Sequence, residues 1–272
     1  MKILIVSGFL GAGKTTFIKR LARNVDQRFA ILENEYGAAG IDGARLGQNR
    51  QGTQKNVWEM TEQCICCIGK KDFAASVLTI ANVVDPEYLI VEPTGVGSLA
   101  RIIENLRQIE YERIQLLSPV TIVDVYSYRR YMAEYPELYQ DQIRSADTII
   151  VSKTEACQAE EKQRIQKFLQ EINPQAKIIT DYASTMTRED YQSLLLGGRY
   201  EKEVQDTQSG EKMPETFSFE NIRMEAPETL WCFLEQIIRG AFGNIIRAKG
   251  QFAAGDQFLQ FDVADHRYSI TG

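Results

Sequence analysis

The stretch GFLGAGKTT at residues 8–16 follows the apolar run Lys2–Val6 and precedes a segment where Phe17, Ile18, Leu21 and Ala22 recur at helical spacing. Strand, glycine loop and helix are the context in which GxxxxGKS/T cradles phosphate. Gly8, Gly11, Ala12 and Gly13 carry little or no side chain, so backbone amides can turn inward, and the start of the helix adds positive potential. Lys14 is placed to reach β and γ oxygens, and the Thr15 hydroxyl to ligate magnesium. Thr16 closes the stretch and is counted with the nucleotide-binding residues. The pattern predicts a nucleoside triphosphate held with Mg2+.

Outward from this loop the chain alternates strands and helices. Phe29–Leu32, Tyr88–Val91, Val120–Val123, Thr148–Val151 and Lys177–Ile179 are short β-rich runs, and 160–171 has helical patterning. Such alternation predicts an α/β fold, a doubly wound and mostly parallel sheet covered on both faces. Ligands of these sheets bind beyond the carboxyl ends of the strands, where the loops after Val6, Leu32 and Val91 meet. The stretch Asn34–Thr53, rich in glycine and without period, is expected to be a long functional loop. From Gly197 to Pro214 no apolar period survives, which places a boundary near 205–213 between a P-loop domain, 1–205, and a small C-terminal α+β module, 206–272. That module is expected to contain a strand at Thr216–Phe219, a helix at Pro227–Arg239 and two or three strands within Ile245–Ile270.

Composition narrows the class. A chain of 272 residues with 44% hydrophobic and 25% charged residues is ordinary for a globular protein with a real core. The net charge of −6 argues against a nucleic-acid partner. The apolar run Ile3–Val6 is far too short for a signal h-region or a membrane span, so a cytoplasmic location is expected. Five cysteines, three of them crowded into Cys64, Cys66 and Cys67, do not make a disulfide framework; the cluster suggests metal or redox chemistry.

Glu92 follows the strand Leu89–Val91 and opens Glu92-Pro93-Thr94-Gly95, putting a carboxylate at the edge of the phosphate site. It would hold magnesium through water or orient the attacking water, while the Gly95 amide would sense the γ-phosphate. Asp42 is a further candidate, for contacting a magnesium ligand rather than the ion itself or for positioning water. The arginines of 101–113, with Arg129 and Arg130, are expected on solvated helix faces.

These motifs together resemble the CobW-type GTPases, a metallochaperone group related to the nickel-insertion GTPases of hydrogenase and urease maturation. The resemblance rests on GFLGAGKTT at 8–16, ENEYGAAGID at 33–42, CICC at 64–67 and EPTG at 92–95, in the family's order, and on RAKG at 247–250 near the C-terminus. It implies GTP hydrolysis to GDP and phosphate, coupled to handling of a transition metal, zinc or cobalt, for delivery to a client protein. In the position of the guanine-reading NKxD stand Ser152, Lys153, Thr154 and Glu155; Lys153 would pack along the base and Glu155 replaces an aspartate. Ala38 stands where the family usually has an acid, and His266 is the only histidine, so the histidine-rich stretch of many members is absent.

Thiolates suit zinc and cuprous copper. Three thiols within four residues cannot all reach one tetrahedral ion without strain, so two sulfurs plus an outside ligand are expected, with Cys64 and Cys66 on one side of an extended segment. Glu33 is the outside ligand that the resemblance suggests. Ligands from a second subunit, in a homodimer, are a further source. A structural or redox role for CICC, a thiol metal buffer without catalysis, and a P-loop ATPase or small-molecule kinase are the competing readings.

Overall fold

The computed structural model describes every residue except 28, 36–57, 64–69, 205–213, 216, 218, 220–221, 225, 255–256, 265 and 272. The strands of the first sheet are β1 (Lys2–Gly8), β2 (Phe29–Glu35), β3 (Trp58–Gln63), β4 (Tyr88–Glu92), β5 (Gln115–Leu116), β6 (Val120–Asp124), β7 (Thr148–Ser152) and β8 (Lys177–Ile179). Their order is β3-β2-β4-β1-β6-β7-β8, with β5 also pairing β1, and every pair is parallel. Its described helices are α1 (Lys14–Asn24), α2 (Lys70–Val83), α3 (Leu99–Arg107), α4 (Tyr128–Glu134), α5 (Pro136–Arg144), α6 (Ala159–Ile172), α7 (Tyr182–Thr185) and α8 (Arg188–Leu196).

Two-residue alternation in the strands builds both faces. On β1, Leu4 and Val6 join a core with Phe17, Ile18 and Leu21 of α1 and Tyr182, Tyr191 and Leu195 of α7 and α8. Ile3 and Ile5 join the opposite core with Phe73, Val77 and Ile80 of α2 and Ile102, Ile103 and Leu106 of α3. That side continues over β6 and β7, where Val123, Ile149 and Val151 pack against Tyr131, Ile143, Ile165 and Leu169 of α4, α5 and α6. The sheet is therefore buried on both faces, and its strands read as near-continuous apolar runs.

Each run ends in polar residues that still belong to the ladder. Ser7 and Gly8 extend β1, Asn34 and Glu35 lie in β2 rather than in the expected loop, and Glu92, Asp124 and Ser152 close β4, β6 and β7. The rest of the expected loop, 36–53, lies outside the described residues. The edge strand β3 carries the charged sequence WEMTEQ, which has no apolar run to announce it, and pairs β2 from Ala30↔Trp58 to Glu35↔Gln63.

The C-terminal sheet has the order β12-β11-β10-β9, from β9 (Arg223–Met224), β10 (Arg247–Ala254), β11 (Gln257–Ala264) and β12 (Arg267–Thr271). Leu230, Leu234 and Ile237 of α9 (Pro227–Ile238) cover one side of it against Leu259 and Val263. The strand expected at Thr216–Phe219 is corrected: Phe217 and Phe219 are exposed and outside any strand, and a two-residue strand lies instead at Arg223–Met224, parallel to β10. Isolated aromatic residues satisfy a β-propensity count without a neighbour to pair with. The expected domain boundary at 205–213 lies outside the described residues.

Phe17 is fully buried at the start of α1, with its ring 5.6 Å from that of Tyr182 and 6.0 Å from that of Tyr191. Phe17→Ala is expected to lower unfolding free energy by about 3–5 kcal/mol, read from urea denaturation midpoints at unchanged m-value.

Candidate functional site

The polar strand ends converge at the carboxyl edge of the main sheet. The turn after β1 begins with Gly8 at φ 141°, where an added Cβ would stand 2.4 Å from the Ile122 carbonyl oxygen, so the loop starts hard against β6. Phe9 inserts its ring among three tyrosines, 4.2 Å from Tyr131, 5.4 Å from Tyr135 and 5.9 Å from Tyr139, and so anchors the loop to α4 and α5. Burial, and next the charge of Asp124, hold the Tyr139 phenol well above its ordinary pKa, so this anchor stays uncharged. Gly13, at φ 99°, caps α1 in the left-handed region, which only glycine occupies without strain.

Lys14 is buried and folds back over the loop, donating from Nζ to the carbonyl oxygens of Gly8 at 3.0 Å and Phe9 at 3.4 Å. Thr15 Oγ1 donates to both Glu92 carboxylate oxygens, at 3.0 and 3.2 Å. Thr16 is exposed on the first turn of α1. Glu33, buried two residues before the end of β2, is in register with Glu92 on β4, so the two carboxylates sit side by side on one face of neighbouring strands. Parallel strands are about 4.8 Å apart, and adjacent like charges at that spacing favour a cation between or before them. Thr15, Glu92 and Glu33 form an all-oxygen set, the chemistry a magnesium ion takes.

The loop after β4 lies directly on the phosphate loop. A Cβ on Gly95 would stand 2.5 Å from the Leu10 nitrogen and 2.8 Å from its Cα, so the two backbones touch and no side chain fits between them. On the other flank the Ser152 hydroxyl donates to the Ala12 carbonyl at 2.6 Å and ties β7 to the phosphate loop. Lys153, at φ 60°, forms an ion pair with the buried Asp124 at the end of β6, and Glu155 is exposed. Asp124 also accepts the Tyr126 amide at 2.9 Å. The C-terminal sheet closes over this flank: a Cβ on Gly11 would stand 2.7 Å from the Ala264 Cβ, and the Arg267 guanidinium lies 4.8 Å from the Tyr126 ring centre.

Lys14, Thr15, Glu92, Glu33, Gly95 and Ser152 are thus gathered at one edge. Cys64, Cys66, Cys67, Asp42 and Ala38 lie outside the described residues, and among the described residues no group of three His, Cys, Asp or Glu side chains is placed to hold a metal. β3 ends at Gln63, one residue before Cys64, at this same edge. The remaining cysteines stand apart: Cys232 is exposed on α9, and burial, then the charge of Glu161, push the Cys157 thiol up. His266 is exposed between β11 and β12. Arg130 is corrected from a solvated position to one half-buried against Tyr131, with its guanidinium 4.6 Å from the ring centre. None of the described helices is long and apolar enough to cross a membrane.

The sequence did not single out Phe9, Asp124, Asp141 or Gln142, which hold this edge together. A family model described as the CobW/HypB/UreG nucleotide-binding domain matches residues 2–180. The chain belongs to this family. The match covers the main sheet and the loops at its carboxyl edge. Among curated proteins the chain is similar to "Zinc chaperone YeiR" of Escherichia coli, 30% identical over 178 residues, or 64% of this chain and 53% of that protein. It is also similar to "Zinc chaperone CobW" of Pseudomonas aeruginosa, 27% identical over 194 residues, or 61% of this chain and 52% of that protein. The chain spans about half the length of the curated relatives it matches. Zn(II)-bound YjiA GTPase from E. coli shares the fold, with a TM-score of 0.54 at 19% identity over 100% of this chain and 88% of that one.

Gly95→Ala forces the two touching backbones apart. Overpacking of this kind costs about 1–3 kcal/mol, so nucleotide affinity is expected to fall about ten- to a hundredfold, measured with a fluorescent guanine nucleotide, while the circular dichroism spectrum is retained.

Proposed function

We propose that this chain is a GTP-hydrolysing metallochaperone that couples the state of Mg2+-bound GTP to the binding and delivery of a transition metal, zinc or cobalt, to a client metalloprotein. The observation that supports it most is the shared carboxyl edge, where the phosphate loop, Glu92 and Glu33 meet and where β3 runs out toward Cys64, Cys66 and Cys67. Oxygen ligands at one part of the edge and thiols one residue beyond its last strand suit two different ions, a hard one beside phosphate and a soft or borderline one beside sulfur.

In this reading Lys14 leaves the loop carbonyls and pairs with β and γ oxygens when nucleotide enters, an exchange of neutral acceptors for charged ones. Thr15 ligates the magnesium ion, Glu92 holds it directly or through water, and Glu33 adds negative charge behind them. Magnesium, when bound, neutralises charge developing on the β and γ oxygens. Gly95 senses the γ-phosphate from the loop that rests on Leu10. Lys153, held by Asp124, flanks the base, and Glu155 supplies the acid for guanine. Residues 1–205 form the catalytic unit and 206–272 the module that meets the client, in a reducing, cytoplasmic setting. The thiols take two sulfurs' worth of metal, with Glu33 or a second subunit completing the set.

Loss of the γ-phosphate would then alter the geometry offered to the metal, through the stretch of sequence that leads from the end of β2 to Asp42. Isothermal titration with zinc and with cobalt, in Mg2+ with either GDP or a non-hydrolysable GTP analogue, tests the coupling. A thiol-dependent site lost in Cys66→Ala, with affinity differing by about tenfold or more between the nucleotides, is expected. Equal metal affinity in both states would leave a GTPase with a separate thiol site and overturn the proposal.

A further inference from the structure

Gln142 is the last but two residue of α5, almost fully buried, and belongs to no motif of the nucleotide site. Its side-chain amide nitrogen donates to the Gly95 carbonyl at 3.1 Å and to the Gly97 carbonyl at 3.0 Å. Two acceptors facing one end of the amide fix which end is nitrogen. The other end, Oε1, is buried with no hydrogen-bond partner among the described residues. Leaving a buried acceptor unmade is costly, so the site keeps a glutamine for its two donors.

The neighbouring residue works on the far side of the same loop. Asp141 Oδ2 accepts the Leu99 amide at 2.6 Å and the Ala100 amide at 3.4 Å, the first two residues of α3. Carboxylates are favoured at a helix start, where amides lack partners and the dipole is positive. Between these holds the loop turns on itself through the Gly97 amide and the Thr94 carbonyl, 3.1 Å apart. α5 is in turn fastened from both directions: Tyr139 packs on Phe9 of the phosphate loop, and Thr121 Oγ1 of β6 donates to the Gln142 main-chain oxygen at 2.8 Å.

We infer that Gln142 is a positioning residue that holds the Gly95–Gly97 turn in the place where it can read a γ-phosphate, so that α5 sets the distinction between tri- and diphosphate. Gly95 is located by two contacts. Leu10 stops it on the phosphate side, and Gln142 holds its carbonyl on the other. With Gln142 gone the turn loses its only described side-chain tether at Gly95 and Gly97, while Lys14, Thr15 and the loop amides that meet the β-phosphate stay as they are. The inference rests on the GTPase reading of the site.

The test is affinity for GDP and for a non-hydrolysable GTP analogue, both with Mg2+, in the full chain and in Gln142→Met, which keeps length and loses both donors. GDP affinity is expected within about twofold of wild type and analogue affinity about five- to tenfold weaker, the worth of one or two hydrogen bonds. Equal losses for both nucleotides, or none, would overturn the inference. If Gln142→Met does not fold, Thr121→Val removes the hydroxyl that fixes the Gln142 backbone; it is expected to weaken the analogue alone by about two- to threefold, and an unchanged ratio again overturns the inference. Wild-type protein that binds neither nucleotide would overturn the GTPase reading itself, an outcome visible before any variant is made.

Discussion

The hydrogen bond from Thr15 to Glu92 joins the first turn of α1 to the end of β4, residues 77 apart in sequence. It is available only because β1 and β4 are parallel neighbours in register, Ile5 beside Val91, so that the two chains leave the sheet at the same edge. The same parallel pairing sets Glu33 beside Glu92 and brings the end of β3 to that edge one strand further out. A single constraint, strands that all run one way, thus collects the phosphate loop, two carboxylates and the approach to the thiols.

The apolar residues secure the constraint and the polar ones exploit it. Ile3 with Ile5, and Leu4 with Val6, commit β1 to a two-sided core, which leaves little freedom for slip, since a one-residue shift would turn every one of them to the wrong layer. Beyond that core the backbones make their own contacts. Gly8 lies against Ile122, Gly95 against Leu10 and Gly11 against Ala264 of the C-terminal sheet, three places where a methyl group would not fit. At Gly8 and Gly95 the edge is held by close approach of main chains, with no room for a side chain between them.

What could be read from the sequence was whatever is local. The phosphate loop, its helix and the apolar parts of six strands carry their chemistry within a few consecutive residues, and each of these strands begins where the pattern says it does. The polar ends, Glu33 to Glu35, Asp124 and Ser152, could not be read as strand because the ladder needs only their backbones and polar residues carry no β-pattern. β3 was hidden for the same reason, as an edge strand of mostly polar residues. Gln142 and Asp141 left no signal, since their partners are 45 and 42 residues away and nothing in an ordinary helix marks the side chains that reach out of it. The Ser152 hydroxyl's bond to the Ala12 carbonyl left no signal either, since the two residues are 140 apart in sequence.

Thr15 and Glu92, backed by the charge of Glu33, are assigned to the nucleotide's divalent ion. Manganese binding followed by electron paramagnetic resonance, in the presence of GDP, compares wild type with Glu92→Gln most directly. About a ten- to hundredfold loss of nucleotide-dependent Mn2+ affinity is expected in the variant, the cost of losing a charged ligand or its orienting partner; equal affinity in the two proteins would place the ion elsewhere and contradict that assignment.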